Sequence, residues 1–314
     1  MGQTSTPSVA FNFAKAHVVL IDSNQVFLKL MAGILAGFGF RKIERLGEVP
    51  SPSEFGSVAQ ADLVLIDPYP NEKAAFDLIR DLRLNRQGAS VSAPILIVTS
   101  AVFVKLIHEM RQSGADYVVA KPFSTSVLLD RILWVANSEG RRGNLVTPRH
   151  RLVDRQRSGN VVSRLNRFLN IAGGISVEDA KRRAEHAVAL MADEAMSDIE
   201  ASVEQLRVKL IGLTAAPAND DKRAVLGLAN NVSCIAGMFE RPGLGRAAAS
   251  LCELVDGLAL SGGWDAPAVH LHFEALRLLR AGKLSPAQEA HLLGGLARVV
   301  ARIAPPAELA RQPG

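Results

Sequence analysis

The sequence predicts two architectures in series: an α/β doubly wound five-stranded parallel sheet, then a C-terminal all-α antiparallel helical bundle. Three observations carry this. Residues 17 to 137 alternate short β-branched runs with amphipathic helical stretches, five times over. From Ser176 onward strand signals vanish and helical periodicity dominates. A polar stretch rich in arginine, with Gly143, Pro148 and Gly159, separates the two. The 314 residues allow two domains at ~150 residues each, and either half is long enough to bury its own core. We expect a flexible tail at 1–14, the sheet domain at 15–137, a linker at 138–175, the bundle at 176–305 and a second flexible tail at 306–314.

The expected strands are HVVLID (17–22), KIERL (42–46), DLVLID (62–67), PILIVT (94–99) and DYVVA (116–120). Helical patterns follow at 25–38, 52–59, 73–85, 102–112 and 125–136. Five successive βα units imply a parallel sheet covered by helices on both faces. Ligands of such sheets bind beyond the carboxyl ends of the strands, so chemistry is sought where each strand stops. Those ends hold Asp22, Asp67, Thr99 and Lys121: two carboxylates, a hydroxyl and an amine.

With Lys121-Pro122 directly after the fifth strand, Arg80 thirteen residues after Asp67 and Gly114 seven before Lys121, this segment resembles the receiver domain of bacterial response regulators, a flavodoxin-like fold. The resemblance spans about 120 residues. It implies that Asp67 is the phosphoacceptor, a nucleophile forming an acyl phosphate. It implies a Mg²⁺ ion held by Asp22, Asp67 and the backbone carbonyl of Tyr69. Thr99 would then hydrogen-bond a phosphoryl oxygen and Lys121 would supply a fixed positive charge.

Two residues depart from the pattern. Receivers usually carry adjacent acids after the first strand, and here the pair is Asp22-Ser23. A neutral hydroxyl in place of a carboxylate weakens binding of a hard cation. The residue three before the lysine is normally an aromatic that swings inward on activation, and here it is Val118. The loop DPYPNEK also places Pro68 and Pro70 at the site, which stiffens it and removes two backbone donors. Two readings of the site stand: a weakly phosphorylated Asp67 whose output bypasses the aromatic switch, or a pseudo-receiver of fixed state.

In the C-terminal half, helical periodicity covers 177–212, 221–241, 243–260, 265–282 and 285–304. Short connections between long amphipathic helices imply an antiparallel bundle. Val225, Leu228, Val232, Ile235 and Phe239 define one core face. Asn230 lies about 200° from Leu228 at ~100° per residue, which points it away from that face. Around it Ser233, Cys234 and Gly237 are small, a flat patch for protein contact. The stretch 229–258, with GMFERPGLGRAAASL, resembles the helix pair of histidine phosphotransfer (HPt) domains. Asn230 stands where the histidine belongs, Ser233 replaces the lysine and Cys234 the glycine. An amide is no phosphoryl acceptor, so the resemblance implies a pseudo-HPt docking module. His186, His270, His272 and His291 read as surface or boundary residues. The helix at 180–211 reads as bundle core, with a homodimer seam as the alternative.

Composition bounds the partners. No run approaches the 18 apolar residues a membrane-spanning helix needs, and the N-terminus lacks a charged start followed by an apolar block. Cys234 and Cys252 lack disulfide or metal spacing and suit a reducing cytoplasm. Of the net charge of +5, the segment 141–167 carries eight arginines against one acid, a local +7. That reads as a solvated linker; an anionic partner is the alternative, and no nucleic-acid-binding motif supports a nucleic acid. The expected protein is a cytoplasmic, bacterial two-component or phosphorelay component. It would act through protein–protein contacts with a histidine kinase, a phosphotransfer protein or another receiver, and not as an enzyme beyond Mg²⁺-dependent self-phosphorylation and dephosphorylation at Asp67.

Overall fold

A computed structural model of the chain describes residues 10–51, 54–84, 93–100, 109–110, 112–137, 163–213, 216–239 and 241–303. Five strands form one parallel sheet: β1 (His17–Ile21), β2 (Lys42–Leu46), β3 (Leu63–Ile66), β4 (Ile95–Thr99) and β5 (Tyr117–Ala120), in the order β2-β1-β3-β4-β5. This is the doubly wound order in which the chain reverses direction beside β1. β1, β3 and β4 are buried along their whole length, as continuous Val/Ile/Leu runs between two helical layers must be. β2 carries Lys42 and Arg45 outward on the sheet edge, where charge discourages pairing with another strand.

The flanking helices begin where capping side chains sit. Asn24 caps α1 (Gln25–Gly37), its side chain accepting the Phe27 N–H; Asn71 and Ser124 do the same for α3 (Glu72–Arg83) and α4 (Thr125–Ala136). The short helix expected over 52–59 is α2 (Gly56–Ala59). The helix expected over 102–112 lies largely outside the described residues.

Two expected boundaries move. The tail expected at 1–14 is not free over its described part: Phe11 and Phe13 are fully buried, and Phe13 stacks on Phe40 with centroids 4.6 Å apart. Phe11 bridges to Leu169 and Ile175, so the end of the expected linker belongs to the sheet unit. A 3₁₀ turn at Arg164–Phe168 brings Arg164 and Arg167 to 3.0 and 2.7 Å from the buried carboxylate of Asp62. Asp62 in turn accepts the His17 backbone N–H at 2.9 Å. Two of the eight arginines are thus used inside the fold, and the other six lie outside the described residues.

The helix expected over 177–212 is two helices, α5 (Val177–Leu190) and α6 (Ala192–Ile211). The chain divides into two compact units between Met191 and Ala192, so α5 belongs with the sheet and not with the bundle expected from 176. Ala180 and Ala184 are its buried residues, and α5 packs against α1. The approach is backbone to backbone: a Cβ on Gly37 would lie 2.6 Å from the Ala184 backbone. Glycine there is a packing requirement. Along the expected dimer seam at 180–211, Ile199, Val203, Leu206 and Leu210 lie in the bundle core, while Leu190, Val208 and Ile211 of the same stretch are exposed.

In the second unit α6, α7 (Asn219–Ala236), α8 (Pro242–Leu260) and α9 (Ala266–Arg280) contact one another in a closed ring, and α10 (Pro286–Ile303) lies against α8 and α9. His272, expected at a surface or boundary, is fully buried on the inner face of α9. Its Nδ1 donates to the Ala268 carbonyl (2.9 Å), and in the neutral ring Nε2 accepts from the Ser250 hydroxyl (3.1 Å). Burial holds its pKa below the usual histidine value. A depressed native pKa means stability that is present above the unfolded value of about 6.5 and lost as pH falls through the native one. Urea denaturation of the second unit, followed by Trp264 in a Trp134→Phe background, is therefore expected to show falling stability from about pH 6.5 downward. His272→Gln is expected to flatten that profile; an unchanged slope refutes the assignment.

Candidate functional site

The site forms because a parallel sheet brings the ends of sequence-distant strands to one edge. Asp22 follows β1, Asp67 follows β3, Thr99 ends β4 and Lys121 follows β5. Their backbones continue the ladder: the Asp67 N–H donates to the Ile21 carbonyl (2.8 Å), and the Lys121 N–H to that of Thr99 (2.9 Å). All four residues are buried. The sequence reading therefore places these strand-end residues correctly, and the structure brings Asp22, Asp67 and Lys121 into direct contact.

Lys121 is the hub. Its Nζ donates to Asp22 Oδ2 (2.5 Å) and Asp67 Oδ2 (2.7 Å), and its side chain has no solvent exposure. The second oxygen of each acid is held by the backbone two residues on: Asn24 N–H to Asp22 Oδ1 (2.8 Å) and Tyr69 N–H to Asp67 Oδ1 (3.1 Å). Both carboxylates are thus fixed in orientation before any ligand arrives. Burial pushes the Asp22 pKa up; Lys121 pulls it back, and the Asp67 charge adds to the rise.

The departures are placed as follows. Ser23 is exposed and its hydroxyl lies 3.5 Å from the Tyr69 carbonyl oxygen. Val118 is buried in the core among Val19, Ile66 and Ile97. No group of three or more His, Cys, Asp or Glu side chains that could hold a metal occurs among the described residues. The available donors are two carboxylates and the Tyr69 carbonyl. That set suits Mg²⁺, which is commonly bound by one or two carboxylates completed by waters and substrate phosphates. A cation at Asp22 and Asp67 would compete with Lys121 for the same oxygens.

One residue at the site escaped the sequence reading. The Phe27 ring lies with its centroid 3.8 Å from Lys121 Nζ. Its place in an i, i+3, i+4 apolar stripe marks it only as core, and the strand that supplies its partner is nearly a hundred residues away.

The second expected site is overturned. Asn230, Ser233 and Cys234 are 8%, 2% and 1% exposed, so they form no docking face. α7 is flanked by both α6 and α8, so its buried arc is wider than one stripe, and Leu228, from which the direction of Asn230 is measured, is only half-buried. Cys234 Sγ donates to Asn230 Oδ1 at 3.5 Å inside that arc. The small residues serve helix packing: a Cβ on Gly245 of α8 would lie 3.2 Å from the Gly237 nitrogen and 3.4 Å from the Ser233 carbonyl.

No protein-family model matches the chain, and no curated protein does. Solved structures with a similar fold include the chemotaxis response regulator CheY4 of Vibrio cholerae, 21% identical, which covers 38% of this chain and 98% of its own with a TM-score of 0.34. The receiver domain of a histidine kinase from Syntrophus aciditrophicus is 18% identical and covers 43% and 99%, with a TM-score of 0.35. Full-length FixJ from B. japonicum is 13% identical and covers 90% and 98%, with a TM-score of 0.31. At these values the likeness says nothing of activity, and the fold stands on the sheet order itself. Among the described residues no helix is long and apolar enough to cross a membrane.

Proposed function

We propose that the chain is an atypical response regulator in which Asp67 accepts a phosphoryl group and the result is passed on by protein–protein contact. The observation that supports this most is the buried Asp67 carboxylate, oriented by the Tyr69 N–H and held 2.7 Å from a fully buried ammonium. An Asp67 oxygen attacks the donor phosphorus in line. The donor's P–O or P–N bond breaks, its electron pair leaves with the donor, and the carboxylate becomes an acyl phosphate. Lys121 stays beside Asp67 and balances the charge that gathers on the phosphoryl oxygens, with little reorganisation because it is already in place. Thr99, buried at the end of β4 between β3 and β5, would supply the hydroxyl that completes that set. Asp22, Asp67 and the Tyr69 carbonyl would hold Mg²⁺, which neutralises carboxylate and phosphoryl charge when bound. Attack of water on the phosphorus returns the carboxylate and inorganic phosphate. The expected donors and partners are a histidine kinase, a phosphotransfer protein or another receiver.

Two features favour a second reading, a fixed-state pseudo-receiver: Lys121 already bridges both acids, and Ser23 adds no charge for a cation. Intact mass decides between them. Incubation with an acyl phosphate donor and Mg²⁺ is expected to add one base-labile phosphoryl group, and the gain is expected to vanish in Asp67→Asn or without Mg²⁺. No gain in the unaltered chain establishes the second reading.

A further inference from the structure

Three sides of the Lys121 ammonium are occupied by described groups: two carboxylates and the face of the Phe27 ring. We propose that Phe27 is a positioning residue of this site, its ring holding Lys121 between Asp22 and Asp67 by attraction of the ammonium to the electron-rich ring face. The proposal rests on the reading of Lys121 as the fixed cation of the phosphoacceptor site.

The geometry favours a strong contact. At 3.8 Å the nitrogen lies well inside the roughly 6 Å over which a cation is attracted to a ring. Phe27 is 3% exposed and the lysine side chain is wholly buried, so water does not screen the pair. Lysine is a point charge on a flexible four-carbon stem, and two acids alone do not fix its position along the line between them. The ring closes one side of that space.

The ring is itself held. Phe123, two residues after Lys121, meets Phe27 edge to face, with centroids 6.1 Å apart and planes at 88°. Asn24 ties the ring's backbone to the acid: its N–H donates to Asp22 Oδ1 at 2.8 Å, and its side-chain Oδ1 accepts the Phe27 N–H at 3.0 Å. One capping residue thus sets Asp22 and Phe27 in a common frame around the ammonium. The order Asp22, Asn24, Phe27 along the chain is what this frame requires.

The test separates charge from shape. 3,4,5-Trifluorophenylalanine at position 27 keeps the ring's form and removes most of its negative face. In the full chain carrying Trp264→Phe, urea denaturation followed by Trp134 is expected to show the folded-to-unfolded ratio falling roughly tenfold or more on fluorination. In the Lys121→Met background the same change is expected to cost less than twofold. Equal losses in both backgrounds overturn the proposal, because the ring is then only packing. Should Lys121→Met fail to fold, NMR of the Lys121 ε-methylene decides. Its upfield ring shift is expected in the unaltered chain and in Phe27→Tyr, and is expected to be lost in Phe27→Leu; a shift that survives Phe27→Leu overturns the proposal. Neither measurement uses a phosphodonor, so the role of Phe27 is tested even in a chain that takes up no phosphate.

Discussion

Lys121→Met is expected to destabilise the first unit by about 3–5 kcal/mol, the range for removing one partner from a buried ion pair. Methionine keeps the length of the stem but leaves two buried carboxylates without a countercharge. The loss is expected to depend on pH. Burial and the Asp67 charge already raise the Asp22 pKa, and Lys121 is what opposes them. Without the lysine the native pKa of Asp22 rises further above its unfolded value. A raised native pKa contributes stability below the unfolded value and loses it as pH rises through the native one. The deficit is therefore expected to be larger at pH 8 than at pH 5, read by urea denaturation with Trp134 as reporter. Adding Asp67→Asn to Lys121→Met removes one of the two orphaned charges and is expected to recover part of the loss. An equal deficit at both pH values, with no recovery, refutes this account.

Arg83→Met is the second large effect, expected at about 3–5 kcal/mol for the same physical reason. Arg83 and Asp116 are 11% and 10% exposed and paired at 2.5 Å. The guanidinium also donates to the Gly114 carbonyl (Nε, 2.8 Å) and the Ala93 carbonyl (Nη1, 2.8 Å). Asp116 accepts the Ile95 N–H as well, at 2.9 Å. One side chain at the end of α3 thus fastens the starts of β4 and β5. Arg83→Lys keeps the charge but cannot span three acceptors with a planar fork, so it is expected to recover less than half of the loss. Thermal or urea denaturation of the three proteins checks the order, and a lysine variant equal to the unaltered chain refutes it. The sequence draws attention to Arg80 instead, by its distance from Asp67. Arg80 pairs with Asp77 on the surface, where both side chains are more than 40% exposed, so little stability depends on it.

The contrast between Arg80 and Arg83 shows where sequence patterns stop being informative. Strand-end residues are legible because β-branched runs announce strands, and a parallel sheet must bring their carboxyl ends to one edge. Asp22, Asp67, Thr99 and Lys121 follow from that rule without knowledge of any side-chain contact. A spacing to a single arginine has no comparable constraint behind it.

Which unit a helix joins is harder to read. Val177–Leu190 looks like the opening of a long charged helix, because its buried face is only Ala180 and Ala184. Alanine contributes little apolar signal, yet its smallness is what allows the close approach to Gly37. The same holds for Asn230: period 3.6 gives the direction of a core face, but the width of the buried arc depends on how many neighbours a helix has. Linear patterning suffices for the element types, for the gathering of chemistry at the sheet edge and for the two departures at Ser23 and Val118. It does not reach the placement of Phe27 against Lys121, the anchoring of residues 163–175 by Phe11 and Asp62, or the interior position of Asn230. The first group depends on local periodicity and chain direction. The second depends on which surfaces meet, and that is settled by contacts between residues far apart in the chain.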